Sequence, residues 1–385
     1  ITASDNSIIG TGAGSLSVTV ATNDQRTSSD SDGGSGTSSS KPRTQAAISV
    51  SPSAAISVID SAVHAFAKDS TLIADGQIEV QAVSNETVVS FASGIAGAAS
   101  SATKGSFALA GAGAVSVNVI DVELEAYIQE NNPAAGRSIE SRDETVTVAA
   151  DDKSLIVGNA GALGISNAKG NTWGVGVALG AAVAVNVGDK RVRAGISGAN
   201  VKGKRDVIVS SGSDSFIWAL TTGGFGAGAK GTEKFAFALA GGAAGSVNVI
   251  DSVVASHISE NSTITTDHAG TGAVTLTAED NASIVANSLV VGVSGAVGKT
   301  SAVAASLGGS FAVNVLNKEV RSTISSSKVF SAGQVGIDAS STGMIWALTI
   351  GGVGAGGRAE ENFGGALSVA GAGSVNVIDS DVASY

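Results

Sequence analysis

The string Ser-Val-Asn-Val-Ile-Asp stands at Ser116–Asp121, again at Ser246–Asp251 and a third time at Ser374–Asp379. Weaker copies fall between them, Ala184-Val185-Asn186-Val187 and Ala312-Val313-Asn314-Val315. Ile56-Ser57-Val58-Ile59-Asp60 precedes them all, with serine in the asparagine slot. The shared position runs Ser57, Asn118, Asn186, Asn248, Asn314, Asn376, in steps of 61, 68, 62, 66 and 62 residues. A fixed period is the mark of a repeat architecture, whose units bury their apolar faces only against one another.

The steps alternate because the true unit is double. Asn118 to Asn248 is 130 residues and Asn248 to Asn376 is 128. Trp218 and Trp346, in matching Ile-Trp-Ala-Leu strings, are 128 apart, as are Lys230 and Arg358, and Val146 and Val274. The local pattern inside each copy is β. Val207/Val209, Val274/Leu276 and Val335/Ile337 alternate with period two, as half-buried strands do. A Gly/Ala strand follows, Gly224-Phe225-Gly226-Ala227-Gly228 or Gly352-Val353-Gly354-Ala355-Gly356. A polar turn carrying Lys104, Lys169, Lys230, Lys299 or Arg358 ends it, and the strand with the Val-Asn-Val column comes next.

This spacing predicts an all-β fold, a β-solenoid of six wide coils, one per copy, continuous over residues 1–385. Glycine at every second position of Gly224–Gly228 and Gly352–Gly356 leaves one face without side chains, which predicts close approach of another backbone there. The Asn column predicts an interior or corner ladder of stacked amides. The polar run Asp24–Gln45 interrupts the pattern and reads as a disordered loop on the flank.

Composition agrees with a thin core. The 385 residues include 52 Gly and 3 Pro, aromatics make up 4% and hydrophobics 43%, chiefly Ala and Val. Such side chains cannot fill the roughly 10 Å between ordinary packed sheets. The net charge of −11 argues against nucleic acid and against electrostatic binding to an anionic membrane. The lack of cysteine rules out disulfide stapling and thiolate chemistry, and suits a chain that crosses an oxidising compartment unfolded. No signal peptide is visible in Ile1–Gly10, and the chain stops at Tyr385 inside a repeat, so it reads as a fragment or a processed piece.

Candidate chemistry is weak at each place it could be sought. Gly298-Lys299-Thr300 misses P-loop spacing, since Val293 stands where the first glycine belongs, and Lys299 is the repeat's turn cation. Gly352–Gly357 fits a dinucleotide fingerprint as a string, without the helix it would need. His64, His257 and His268 occupy non-equivalent places, and there is no His-x-x-x-His or Gly-x-Ser-x-Gly. The expectation is therefore no enzyme, with no catalytic, cofactor-binding or metal-binding residues.

One acidic column is more informative: Asp60, Asp121, Asp189, Asp251, Asn317, Asp379. At strand spacing, neighbouring carboxylates repel by on the order of 1 kcal/mol or more. Interleaved cations, solvated corners or bound Ca²⁺ would each relieve this. The favoured reading is interleaving, because Lys190/Arg191/Arg193 and Lys318/Arg321 follow the column in alternate copies.

The repeated Ser-Val-Asn-Val-Ile-Asp with Gly-x-Gly-Ala-Gly strands resembles, over the whole chain, the giant repeat exoproteins of Gram-negative bacteria. These are the filamentous-haemagglutinin-like and leukotoxin-like adhesins of two-partner secretion. The resemblance implies secretion through an outer-membrane partner, a shaft exposed at the cell surface, and attachment to a host or neighbouring cell or a biofilm matrix. Two other classes stay open. One is an extracellular filament or sheath subunit stacking end to end. The other is an outer-membrane β-barrel, suggested by the uncharged Asn171–Gly188 and a mean hydropathy of +0.30. Two Tyr and three Trp cannot build a barrel's aromatic girdles, so membrane insertion is not expected.

Overall fold

The computed structural model describes residues 1–22 and 43–385, so the insertion expected at 24–45 lies almost wholly outside the described residues. The chain is a parallel β-solenoid of six coils. Coil 1 comprises Thr2–Asp5, Ile8–Thr22, Gln45–Lys68 and Leu72–Ala74. Coil 2 is Ile78–Ala102, Gly105–Gln129 and Ile139–Ser141; coil 3 is Val146–Gly170, Trp173–Ser197 and Asn200–Gly203. Coil 4 is Val207–Gly231, Phe235–Ser259 and Thr263–Thr266; coil 5 is Val274–Gly298, Ser301–Ile324 and Lys328–Phe330. Coil 6 is Val335–Ala359 and Phe363–Ser384.

The first long strands of successive coils pair into a first sheet, the second long strands into a second, and the short strands into a third. Every pairing is parallel and the long ones run without a slip. Trp218 pairs with Val285 and Val285 with Trp346, so the tryptophans share one column two coils apart, as expected. At ordinary strand spacing that is about 9.6 Å. The corner into the third sheet is turned by left-handed residues, Asp69, Gly198, Glu260–Asn261 and Ser326. A side chain on Gly198 would run into the Glu130 carbonyl of the coil before.

The cross-section has two parts. Where the three sheets meet, the inward positions carry Val80, Leu124, Ile128, Ile139 and Val201, all buried in one cluster that forms a wedge. Towards the turn joining the two long strands, those strands lie back to back as a two-layer blade. Its core is Ala92, Ala96, Ala108, Ala110 and Ala114, with equivalents in other coils. Backbones touch there: a Cβ on Gly164 would come within 2.5 Å of the Leu179 carbonyl oxygen, and one on Gly94 or Gly176 would overlap a carbonyl opposite. Among the described residues Phe225 is the one large ring in the blade core, and it fits because Gly242, Gly292 and Gly308 surround it.

This corrects the reading of the glycine faces. Gly226, Gly352, Gly354 and Gly356 have nothing within 4 Å of an added Cβ. They point outward, and Phe225, Ala227 and Ala229 fill the core instead. Close approach does occur in the blade, at glycines of the opposite parity such as Gly94, Gly164 and Gly176.

Candidate functional site: a buried polar spine and apolar outer faces

A polar seam runs along the solenoid axis between wedge and blade. Its first element is the asparagine ladder. The Asn118 amide donates to Asn186 Oδ1, Asn186 to Asn248, Asn248 to Asn314 and Asn314 to Asn376, each at 2.7 Å. Asn118, Asn186, Asn248 and Asn314 are fully buried. Gly158 makes the room, since a Cβ there would run into the Asn186 and Asn118 amides. At coil 1 the ladder gives way to Ser57, whose hydroxyl donates to Thr11 Oγ1 at 2.8 Å.

Beside the ladder lies a set of buried charges that the sequence reading placed wrongly. Lys190 and Lys318 were expected among the surface cations; both point inward and are 1% and 4% exposed. The Lys190 ammonium donates to Ser154 Oγ and lies 3.5 Å from Glu86 Oε2 and 3.7 Å from Asp152 Oδ2. Lys318 lies 3.3 Å from Asp280 Oδ1 and donates to the Thr342 carbonyl; Ser252 donates to Asp280. Burial pushes the Glu86, Asp152 and Asp280 carboxyls above their ordinary range and the Lys190 ammonium below its own.

The register shows why the repeat is double. The first-sheet column reads Asp5, Ser84, Asp152, Ser213, Asp280, Ser341 in coils 1 to 6. The second-sheet column reads Ser61, Val122, Lys190, Ser252, Lys318, Ser380. In this column carboxylates occur only in alternate coils, with a serine between, so its own like charges stand about 9.6 Å apart, while Glu86, two positions further along in coil 2, shares Lys190 with Asp152. In coil 1, Asp5 has no lysine and accepts from Ser61 at 2.7 Å and Ser7 at 2.9 Å, which lower its pKa.

Outside, the acidic column keeps its expected register, Asp60 to Asp121, Asp189, Asp251, Asn317 and Asp379. No cation interleaves within the column. Burial first, then Asp189 and Asp60, raise the Asp121 pKa. The expected alternation occurs further along the strand: Arg193 lies 3.7 Å from Glu125 and Arg321 3.2 Å from Asp381, each in the adjacent coil. Arg191 reaches only Asp189 of its own coil, at 3.6 Å.

The other singled-out residues serve local structure. Lys299 sits in its turn with Glu361 at 3.3 Å. His64 faces Glu125 at 3.4 Å. His257, its pKa lowered by burial, packs at a 58° tilt against Tyr127 across Gly195, ring centroids 5.6 Å apart, and burial pushes the Tyr127 hydroxyl up to about 12. His268 lies elsewhere, in the loop after Thr263–Thr266. Among the described residues no group of three His, Cys, Asp or Glu is placed to hold a metal ion, and no helix is long and apolar enough to cross a membrane.

The outer faces of the blade are the most unusual surface. Val117, Val119, Val185 and Val187, flanking the ladder asparagines, point outward, so the repeated motif buries its amide and leaves its valines half-buried. On the first sheet, Leu16, Ile95, Leu163 and Val291 share an outward column relieved only by Gly224 and Gly352. A shallow acidic groove interrupts that sheet nearer the wedge, lined by Asp151, Asp214 and Glu279 around Gly212.

Lys190, Lys318, Glu86, Asp152 and Asp280 are the residues that sequence reasoning missed, and strand parity could have found them. Lys190 is four residues past inward Asn186 and must share its face, whereas Asp189, Arg191 and Arg193 must share the other. No family model, curated protein or solved structure matches the chain.

Proposed function

We propose that this chain is a structural shaft segment of a secreted bacterial surface adhesin, acting in attachment to cells or matrix by its shape and stiffness rather than by turnover. The observation that supports this best is the unbroken register through six coils, carried by backbone ladders, by stacked amides and by buried charges. Such an array transmits load along its axis without a hinge. The motif resemblance to giant exoproteins supplies the surface location and the export route. The buried amides and charges pair chiefly with one another, through the asparagine ladder and the Lys190 and Lys318 ion pairs, which suits a scaffold whose ligand contacts lie on its faces or elsewhere in the parent.

The test is an in-frame deletion of residues 146–273, one double repeat, in the producing bacterium, alongside removal of the whole segment. The join places Thr145 before Val274, where the repeat itself has the equivalent of Val146. The shorter protein should still reach the cell surface, and attachment to cells or matrix should fall stepwise with the length removed. Unchanged attachment after removal of all six coils overturns the reading.

A further inference from the structure

In the blade, the outward face of the second sheet is apolar throughout. Seven columns, from that of Phe107 to that of Val119, cross all six coils, and every position is Val, Ile, Leu, Phe, Ala, Gly or Pro. In coil 3 the outward residues from Val175 to Val187 read Val, Val, Leu, Ala, Val, Val, Val. Leu179, Leu307 and Phe311, in inner coils with neighbours on both sides, remain 45%, 45% and 41% exposed. Six strands about 4.8 Å apart and thirteen residues of about 3.3 Å make a face of ~1,100 Å². The largest apolar patch of an ordinary monomer is about 300–600 Å², whereas a stable protein pair needs about 800 Å² from each partner. Polar residues lie beyond both edges that run along the axis, giving the apolar centre and polar rim of an interface.

We propose that this face joins two copies of the chain, packed face to face about a two-fold axis parallel to the solenoid axis. The inference stands apart from the adhesin reading. Three features select a second copy in this orientation. The face repeats its own pattern coil after coil, so a second copy with parallel axis matches its period. The central column is Pro52, Gly113, Ala181, Ala243, Gly309 and Gly371, with no side chain large enough to hold two copies apart along the axis.

Charge supplies the third. The turn edge of this face carries Lys104, Lys234 and Lys299 balanced by Glu233, Glu360 and Glu361, whereas Lys169, Lys230 and Arg358 point outward from the first sheet. The opposite border is the acidic column, and beyond it Glu123, Glu125, Glu319 and Asp381 outnumber Arg191, Arg193 and Arg321. With parallel axes, the acidic border of each copy falls beside the balanced turn edge of the other, and the two acidic borders stay apart. With antiparallel axes like meets like. The acidic border, with the net charge of −11, disfavours an anionic bilayer as occupant.

The chain has no cysteine, so single cysteines report cleanly. Added atoms at Gly113 come no nearer than 4.0 Å to any neighbour, and at Gly309 they meet nothing within 4 Å. In the parallel pair, G113C and G309C should each be linked to its own copy by a short bis-maleimide. In an antiparallel pair neither alone links, and only their mixture does. Sedimentation velocity of the 385-residue chain should give twice 37.3 kDa. Val185→Lys with Val247→Lys, both outward, should halve that mass and leave the β-sheet circular dichroism unchanged. Should that variant lose its fold, the two cysteine variants decide alone. A wild-type monomer at tens of micromolar, linking only in the mixture, a folded lysine variant of undiminished mass, or binding of the monomer to uncharged phosphatidylcholine vesicles would each overturn the proposal.

Discussion

Wedge and blade are built from the same strands, yet they solve opposite packing problems. In the wedge, inward Ile, Leu and Val hold three sheets apart around a core of ordinary thickness. In the blade, the inward residues shrink to Ala, Gly and Ser, and the first and second sheets close until carbonyl oxygens sit where a Cβ would be. Sheet separation follows side-chain volume, because a well-packed interior tolerates neither voids nor overlap. Between the two, the changing gap suits an amide or a lysine pairing across it, and that is where Asn186, Lys190 and Asp152 lie.

The seam should be the most sensitive part. Lys190→Ala leaves Glu86 and Asp152 buried without their cation, and removing one partner of a buried charge group costs about 3–5 kcal/mol. Denaturant unfolding should show this, and a loss below 1 kcal/mol would mean that the carboxyls are already neutral without Lys190.

The pH dependence sharpens the same point. The Glu86 pKa is raised in the folded chain, so the native state holds a proton that the unfolded chain releases near the ordinary value of 4.5. The unfolded state then binds fewer protons, and this group's contribution to stability falls as pH rises from there towards the folded value. Asp152 acts with the same sign. Glu86→Gln should therefore flatten, without abolishing, the dependence of melting temperature on pH above about 4.5. An unaltered profile would show that Glu86 does not titrate differently in the two states.

Opposite substitutions break the two cores. Leu124→Ala in the wedge opens a cavity and should cost about 2–5 kcal/mol. Gly94→Val in the blade pushes a side chain into the Gly113 and Ser51 carbonyls and should cost about 1–3 kcal/mol or more. Guanidinium unfolding of the two variants compares them directly. If Gly94→Val is neutral, the blade is looser than the geometry shows and its thinness is not enforced by contact.

The sequence made the repeat legible because identical strings at fixed intervals survive without knowing any contact. The coil count, the amide ladder and the acidic column all followed from those intervals. Facing did not follow, although the information was present. Strands here run up to 25 residues without a bulge, so parity counted from one buried residue holds along the whole strand. Counting from Asn186 sends Lys190 inward and Arg191 outward, where the two had been taken together as one surface group. The doubled period was visible, but its cause in the alternating Asp and Ser of the interior column was not. That column pairs residues some 65 positions apart, with no common string to mark it.

The glycine face is the smallest effect and the sharpest contrast with Gly94. Gly226 lies on the outer side of the blade, where an added Cβ meets nothing within 4 Å. Its column reads Val18, Gly97, Ile165, Gly226, Val293, Gly354 from coil 1 to coil 6, so branched residues already occupy this place in both adjoining coils. A glycine inside a strand is worse than alanine by about 0.5–1 kcal/mol, and valine suits a pleated surface better still. Gly226→Val is therefore expected to range from neutral to about 1 kcal/mol stabilising by thermal denaturation, opposite in sign to Gly94→Val. A loss beyond about 1 kcal/mol would mean that the first sheet's outer face is itself covered in the folded protein. The glycines would then be where another backbone comes close, on the outside of the blade rather than within it.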